Sequence, residues 1–279
     1  MAVGSIGCGL DLAGEAVGGL DGGDGGGRVD AGAIDDRTVA IDVDAPAVVP
    51  DSPDEPGTDS PAAASPPDAP PPPPIGFVQV ASATPQTASA NVSVTYTEAQ
   101  TAGDLDVVVV GWNDTVAQVT SVADSSGNVY SLALGPTTES NELSQSIYYS
   151  PNIRAAASGG NVVTVTFSAD AQYVDVRVVE YQGIAAVHPL DQTSQGSGVT
   201  ATASAPAVMT TYSDELIVAA GMTTGTFEPV AAPFVQRIIT TPDGDTVEDQ
   251  MATSLGSYGV TAQPNGGWIL QLATFRSAP

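Results

Sequence analysis

Five consecutive prolines, Pro70–Pro74, divide this chain into two parts that obey different rules. Proline locks φ at about −65° and removes the amide donor, so the run favours an extended polyproline II rod. Ahead of it the sequence carries no periodic apolar pattern. Behind it, strand-like stretches follow one another to the C-terminus. The expectation is a disordered tether over residues 1–74 and one folded domain over residues 75–279.

The tether reads in two pieces. Residues 9–27 are rich in Gly and Asp; from Ala45 to Pro74 the composition shifts to Pro, Ala, Ser and Asp. Neither piece buries enough apolar area to offset the entropy of ordering it. LDGGDGGGRVD holds barely one unit of a calcium-binding Gly/Asp repeat, a motif that works only when stacked, and so reads as flexible acidic linker. The lone cysteine, Cys8, has no partner for an internal disulfide.

Ser5-Ile6-Gly7-Cys8 resembles the end of a bacterial lipobox, where small residues precede a cysteine that becomes the lipidated N-terminus. Ser5 stands where leucine is usual, and no basic or apolar signal region precedes it; a start further upstream would account for both. The resemblance implies lipidation at Cys8 and a place at the cell surface, as an outer-membrane lipoprotein or a secreted protein. The other reading is a free cysteine in a disordered tail.

Charge removes several functions. The chain carries 32 acidic residues against six basic ones, every one an arginine. Nucleic-acid binding draws on cations that displace condensed counterions, and anionic head groups attract basic segments, so neither partner suits this chain. Membrane contact is expected only through a lipid anchor. The absence of lysine rules out Schiff-base chemistry.

Strand signals in the domain begin at Val78 and Val80. NVSVTYT alternates, and Leu105–Gly111 is almost continuously apolar, as a strand covered on both faces would be. VAQVTSVAD leads into the turn residues DSSGN, and VYSLAL returns, which reads as a hairpin. SQSIYYS, NVVTVTFS and YVDVRVVEY follow. GIAAVHPLDQTSQGSG reads as a loop. Further strands are expected at Thr200–Ser204, Glu215–Met222, Phe234–Thr240, Val247–Thr253 and Trp268–Phe275. About a dozen strands with little helix predict an all-β, antiparallel sandwich.

The succession AGDLDVVVVGW, SVADSSGNVY, SIYYSPNI, NVVTVTF, VEYQGI, PLDQTSQGSG, SDELIVAAGM and WILQLATFR resembles a jelly-roll-like domain found in bacterial surface and secreted proteins and in some phage structural proteins. The resemblance implies fold and location. It carries over no catalytic residue.

Chemistry-bearing residues are few. His188 is the only histidine, and it sits in a loop with no nucleophile motif near it. Glu180 falls on the valine face of Tyr173–Tyr181, with Asp175 and Arg177 on the other face. A glycosidase built on Glu180 would need a second facing carboxylate that the sequence does not single out. Calcium takes six to eight oxygens, many from loops. Candidate ligands are Asp124 and Asn128 in DSSGN, and Asp243 and Asp245 in PDGDTVED; both stretches read equally well as polar turns. A sugar-binding face would stack rings, and Trp112, Trp268 and Tyr148 are the candidate platforms. The expectation is therefore a module without catalysis and without a required cofactor, calcium being the one ion that suits it. It would bind an unknown surface ligand, a glycan or another surface protein.

Overall fold

The computed structural model describes residues 70–279, and Cys8, with the rest of residues 1–69, lies outside them. Fifteen strands and no helix occur among the described residues. The all-β, jelly-roll-like class holds, and every ladder is antiparallel.

The first eight strands are β1 (Gly76–Ala83), β2 (Ser89–Thr95), β3 (Leu105–Trp112), β4 (Val119–Asp124), β5 (Ser131–Glu139), β6 (Leu143–Ser150), β7 (Val162–Ala171) and β8 (Asp175–Gln182). They form a five-stranded sheet, β1-β8-β3-β6-β5, and a three-stranded sheet, β2-β7-β4. The remaining seven are β9 (Leu190–Gly198), β10 (Ala203–Met209), β11 (Glu215–Thr223), β12 (Val235–Ile239), β13 (Thr246–Ala252), β14 (Ser257–Ala262) and β15 (Trp268–Arg276). They form a five-stranded sheet, β12-β13-β11-β15-β9, and a two-stranded sheet, β10-β14.

These are two copies of one design. Matching β1, β2, β3, β5, β6, β7 and β8 to β9 through β15 in order reproduces both sheet orders, with β4 alone lacking a counterpart. Each copy wraps a large sheet against a small one as a jelly roll does.

The cores confirm the layering. Val108, Val110, Val176 and Val178 of the first large sheet pack with Val92, Val94, Val163 and Val165 of its small sheet. Ile217, Ala219, Leu270 and Leu272 pack with Ala203, Ala205 and Val260 in the same way. The other faces of the two large sheets meet each other, where Val107, Val109, Ile147, Val179 and Tyr181 join Leu216, Val218, Ala220, Val247 and Phe275. Both faces of β3, β8, β11 and β15 are thus buried, which explains the near-continuous apolar run at Leu105–Val110.

Three expectations change. β4 pairs with β7 and β5 with β6, so DSSGN joins two sheets and closes no hairpin. The stretch read as a loop contains β9, which pairs along β15 from Leu190 to Gly198. β9 lacks apolar alternation because its neighbours come too close for side chains: a Cβ on Gly196 would stand 2.0 Å from the Ser204 carbonyl oxygen. The proline run also touches the body. Pro72 and Pro73 line a groove with Gly103, Asp104, Ile184 and Ala278, and Gln182 Nε2 donates to the Pro74 carbonyl at 3.3 Å. Gly183, at φ +77°, leaves no room there for a Cβ.

Candidate ligand pocket at the seam between the two halves

β1 starts where the chain enters and runs to the far pole. The antiparallel ladders then place the β1–β2, β3–β4, β7–β8 and β12–β13 connections, and the start of the β11–β12 connection, at that far pole. A cavity of about 220 Å³ opens there, lined by Gln86, Asn113 and Tyr173 from the first half and Thr223, Thr224, Gly225, Pro242, Asp243 and Asp245 from the second. Tyr173 is 48 % exposed and holds φ at +42°, a left-handed conformation costly for a bulky residue.

A charged layer lies beneath the pocket, between the two large sheets. Arg177 is fully buried; its Nε pairs with Asp175 at 3.0 Å and its Nη2 stands 3.9 Å from Asp245. Its Nη1 donates to the Gly221 and Thr246 carbonyls at 2.8 and 2.9 Å, and Nη2 to Gln145 Oε1 at 3.0 Å. Burial pushes the Asp245 carboxyl well above its ordinary range, against the pull of Arg177, and Asp175 and Asp243 add to the rise. Burial also raises Asp175, with Arg177 and a Thr240 hydroxyl bond opposing. At the rim, Asp243 Oδ1 accepts from Gln86 Nε2 at 2.8 Å, while its buried Oδ2 has no partner. Asp245 Oδ1 accepts from the Thr223 amide at 2.9 Å. Asp243 and Asp245, singled out in the sequence, do converge. Asp175, Arg177, Gln86, Asn113 and Tyr173 complete the arrangement, and no local motif marked them.

The other candidates lie elsewhere. Asp124 and Asn128 make a closed turn: the carboxylate accepts from the Asn128 amide (2.9 Å), Asn128 Nδ2 (2.7 Å), Tyr130 Oη (3.0 Å) and Asn161 Nδ2 (3.0 Å). Burial works to raise this carboxyl, and those donors outweigh it and hold it below the usual range. Among the described residues, no three acidic, histidine or cysteine side chains are arranged to hold one metal ion. Trp112 is buried edge-on against Phe167, its indole donating to the Ala117 carbonyl at 3.1 Å. Trp268 is buried beneath Gly196 and Gly198, its indole donating to the Thr200 carbonyl at 2.9 Å. Tyr148 packs on the first core and Tyr149 on the inter-sheet core, so neither ring stands free on a sheet face. Tyr173 and Tyr212 are the tyrosines with substantial exposure among the described residues.

Glu180 is fully buried at the pole where the chain enters. Its Oε2 accepts from Gln79 Nε2 at 2.6 Å and its Oε1 from the Thr101 amide at 3.2 Å. It pairs across the ladder with Asp106, and Asp104 lies within hydrogen-bonding reach. Burial, with Glu180 adding to it, lifts Asp104 to about 7. Burial lifts Asp106 to about 7 as well, opposed by bonds from Tyr130 Oη at 3.0 Å and Gln100 Nε2 at 2.9 Å. His188 is exposed in the connection between the halves. No family model, curated protein or solved structure matches the chain.

Proposed function

We propose that this chain is an exported, non-catalytic binding module: a two-lobed β body on an acidic tether, offering the far-pole pocket to a small polar ligand at the cell surface. The observation that carries the reading is the placement of that pocket. It draws loops from both halves and lies at the pole opposite Pro70–Ile75, so a body held at one end presents it at the other. A strained, exposed tyrosine beside amide, hydroxyl and carboxyl groups is the usual make-up of a recognition site. Glu180 is poorly placed for the hydrolase alternative, since both its oxygens are engaged and no face of it meets solvent.

A sugar is the ligand class favoured by Tyr173, whose ring is free to stack while Gln86, Asn113 and Asp243 supply hydrogen bonds. Calcium is the competing occupant, through Asp243 and Asp245. The test is a thermal-shift and calorimetric screen of the full chain against monosaccharides, calcium and a chelator, since ligands that favour the native state raise Tm. A sugar site loses its shift in Tyr173→Ala and Asn113→Ala. A calcium site keeps its shift in Tyr173→Ala and loses it in Asp243→Asn. A flat response to every ligand would end the pocket reading.

A further inference from the structure

The two halves differ by one strand, and the difference leaves β14 with a single strand partner. In the first half, β4 descends along β7: Val119 pairs with Phe167, Ser121 with Thr166, Ala123 with Thr164 and Asp124 with Val163. The second half starts the same descent. Phe227 bridges Pro264 as Val119 pairs with Phe167, and the Asn265 amide donates to the Thr226 carbonyl at 2.9 Å as the Ser168 amide donates to Gln118 at 2.9 Å. Glu228 then donates to the Gln263 carbonyl at 2.9 Å, and the chain leaves the sheet. Residues 229–234 carry Val230 and Phe234 into the second core, as β4 carries Val122 onto the first. They make no backbone bond to β14, whose strand partner is β10.

Strand alternation fixes which groups face the gap. Since Gln263 and Asn265 point to this edge, so do the amides and carbonyls of Thr261 and Gly259. Their counterparts in the first half, Thr164 and Val162, face β4. Proteins ordinarily guard such an edge with charge, proline or a covering segment. Ser257–Ala262, SYGVTA, carries no charge and no proline.

We infer that the β14 edge is a strand-addition site, taking an extended segment of a partner protein antiparallel to β14. Its occupant bonds main chain to main chain with Gly259 and Thr261, over a core that Val230 and Phe234 already fill, so small residues suit its inward positions and hydroxyl residues its outward ones. The partner segment is neutral or basic. Residues 75–279 carry 18 acidic side chains against four arginines, and a second copy would bring the same excess to the contact. Main-chain bonds supply the affinity in such pairing, and alternate side chains the selectivity.

A fluorescent peptide with the sequence Gln118–Ser125 and two appended lysines serves as the probe, titrated into the full-length protein. Saturable binding is expected, at least tenfold tighter than for a scrambled peptide. Hydrogen exchange should slow at Gly259 and Thr261 on binding. Thr261→Pro should weaken binding at least tenfold, because it removes an outward amide without touching the bonds to β10. Equal binding of the scrambled peptide, protection at other residues only, or no saturable binding would overturn the site. Dimer mass with concentration-dependent protection of those two amides in the protein alone would overturn the foreign partner in favour of a second copy.

Discussion

Two halves of this molecule share one strand plan and differ in what they place at equivalent positions. By the ladders, Arg177 is to β8 as Gln271 is to β15, and Gln145 is to β6 as Asp245 is to β13. Arg177 meets Asp245, and Gln271 meets Gln145 at 3.1 Å. Likewise Tyr181 donates to Asp249 at 2.9 Å, while their counterparts Phe275 and Tyr149 stack 5.5 Å apart. Such reciprocal contacts are the mark of an isologous, twofold interface, here made within one chain. One side of the seam is ionic and the other neutral, so the pair is a built-in comparison of how to fill the same space.

The largest expected effect comes from breaking the ionic side. Arg177→Met leaves Asp175 and Asp245 buried beside no cation, which typically costs about 3–5 kcal/mol. A fall in Tm on the order of 10 °C should follow in a thermal melt. The neutral mate, Gln271→Leu, forfeits bonds to Thr137 at 2.7 Å and to Gln145. It should cost about 1–3 kcal/mol. Equal losses in the two variants would show that charge adds nothing at the seam.

A smaller effect follows pH, and Glu248 of the second half, lifted by burial to about 7, adds to what the first half contributes. Asp106 and Glu180 of the first half match Ile217 and Thr274 of the second. Asp104 and Asp106 stand at about 7 in the fold, against about 4 in an unfolded chain. The folded state therefore binds their protons more tightly. Their contribution is full below about pH 4 and is lost as pH rises to about 7. Tm should be several degrees higher at pH 5 than at pH 8, with hydrogen exchange quickening first around residues 96–106. A flat Tm would refute the raised carboxyls.

The smallest effect concerns the edge strands. Thr164→Pro removes an amide that β4 accepts, whereas Thr261→Pro removes one that faces no strand. Urea melts should place the first variant at least 1 kcal/mol below the second, on the order of one lost ladder bond.

The strand content was legible because period-two alternation survives wherever one face packs. The duplication was not. GDLDVVVVGW and SDELIVAAGM look alike, yet matching Gly111 to Gly221 sets Val110 against Ala220. Those side chains point to opposite faces, Val110 into the first core and Ala220 into the seam. The structural match is displaced by one residue, and a one-residue slip exchanges the faces. Asp175 and Arg177 misled differently: charged residues alternating with valines look like a wet face, and only pairing across the seam makes their burial tolerable. The two tryptophans illustrate a third limit. As ring platforms they required exposure; core packing, the ordinary place for a tryptophan, holds instead, each indole finding its acceptor in a backbone carbonyl close by. The pocket itself joins loops more than a hundred residues apart, which no local spacing records.

The entry strand has a mechanical consequence. β1 joins the proline run directly and lies along β8 from Gly76 to Ala83, with Pro72–Ile75 set beside Ser277 and Ala278. If a ligand grips the far pole while the tether is pulled, tension runs parallel to β1 and loads its ladder in shear. All of those bonds then share the force together, where a peeling geometry would break them one at a time. A body hung by this strand resists traction best in the direction in which a bound surface would pull it.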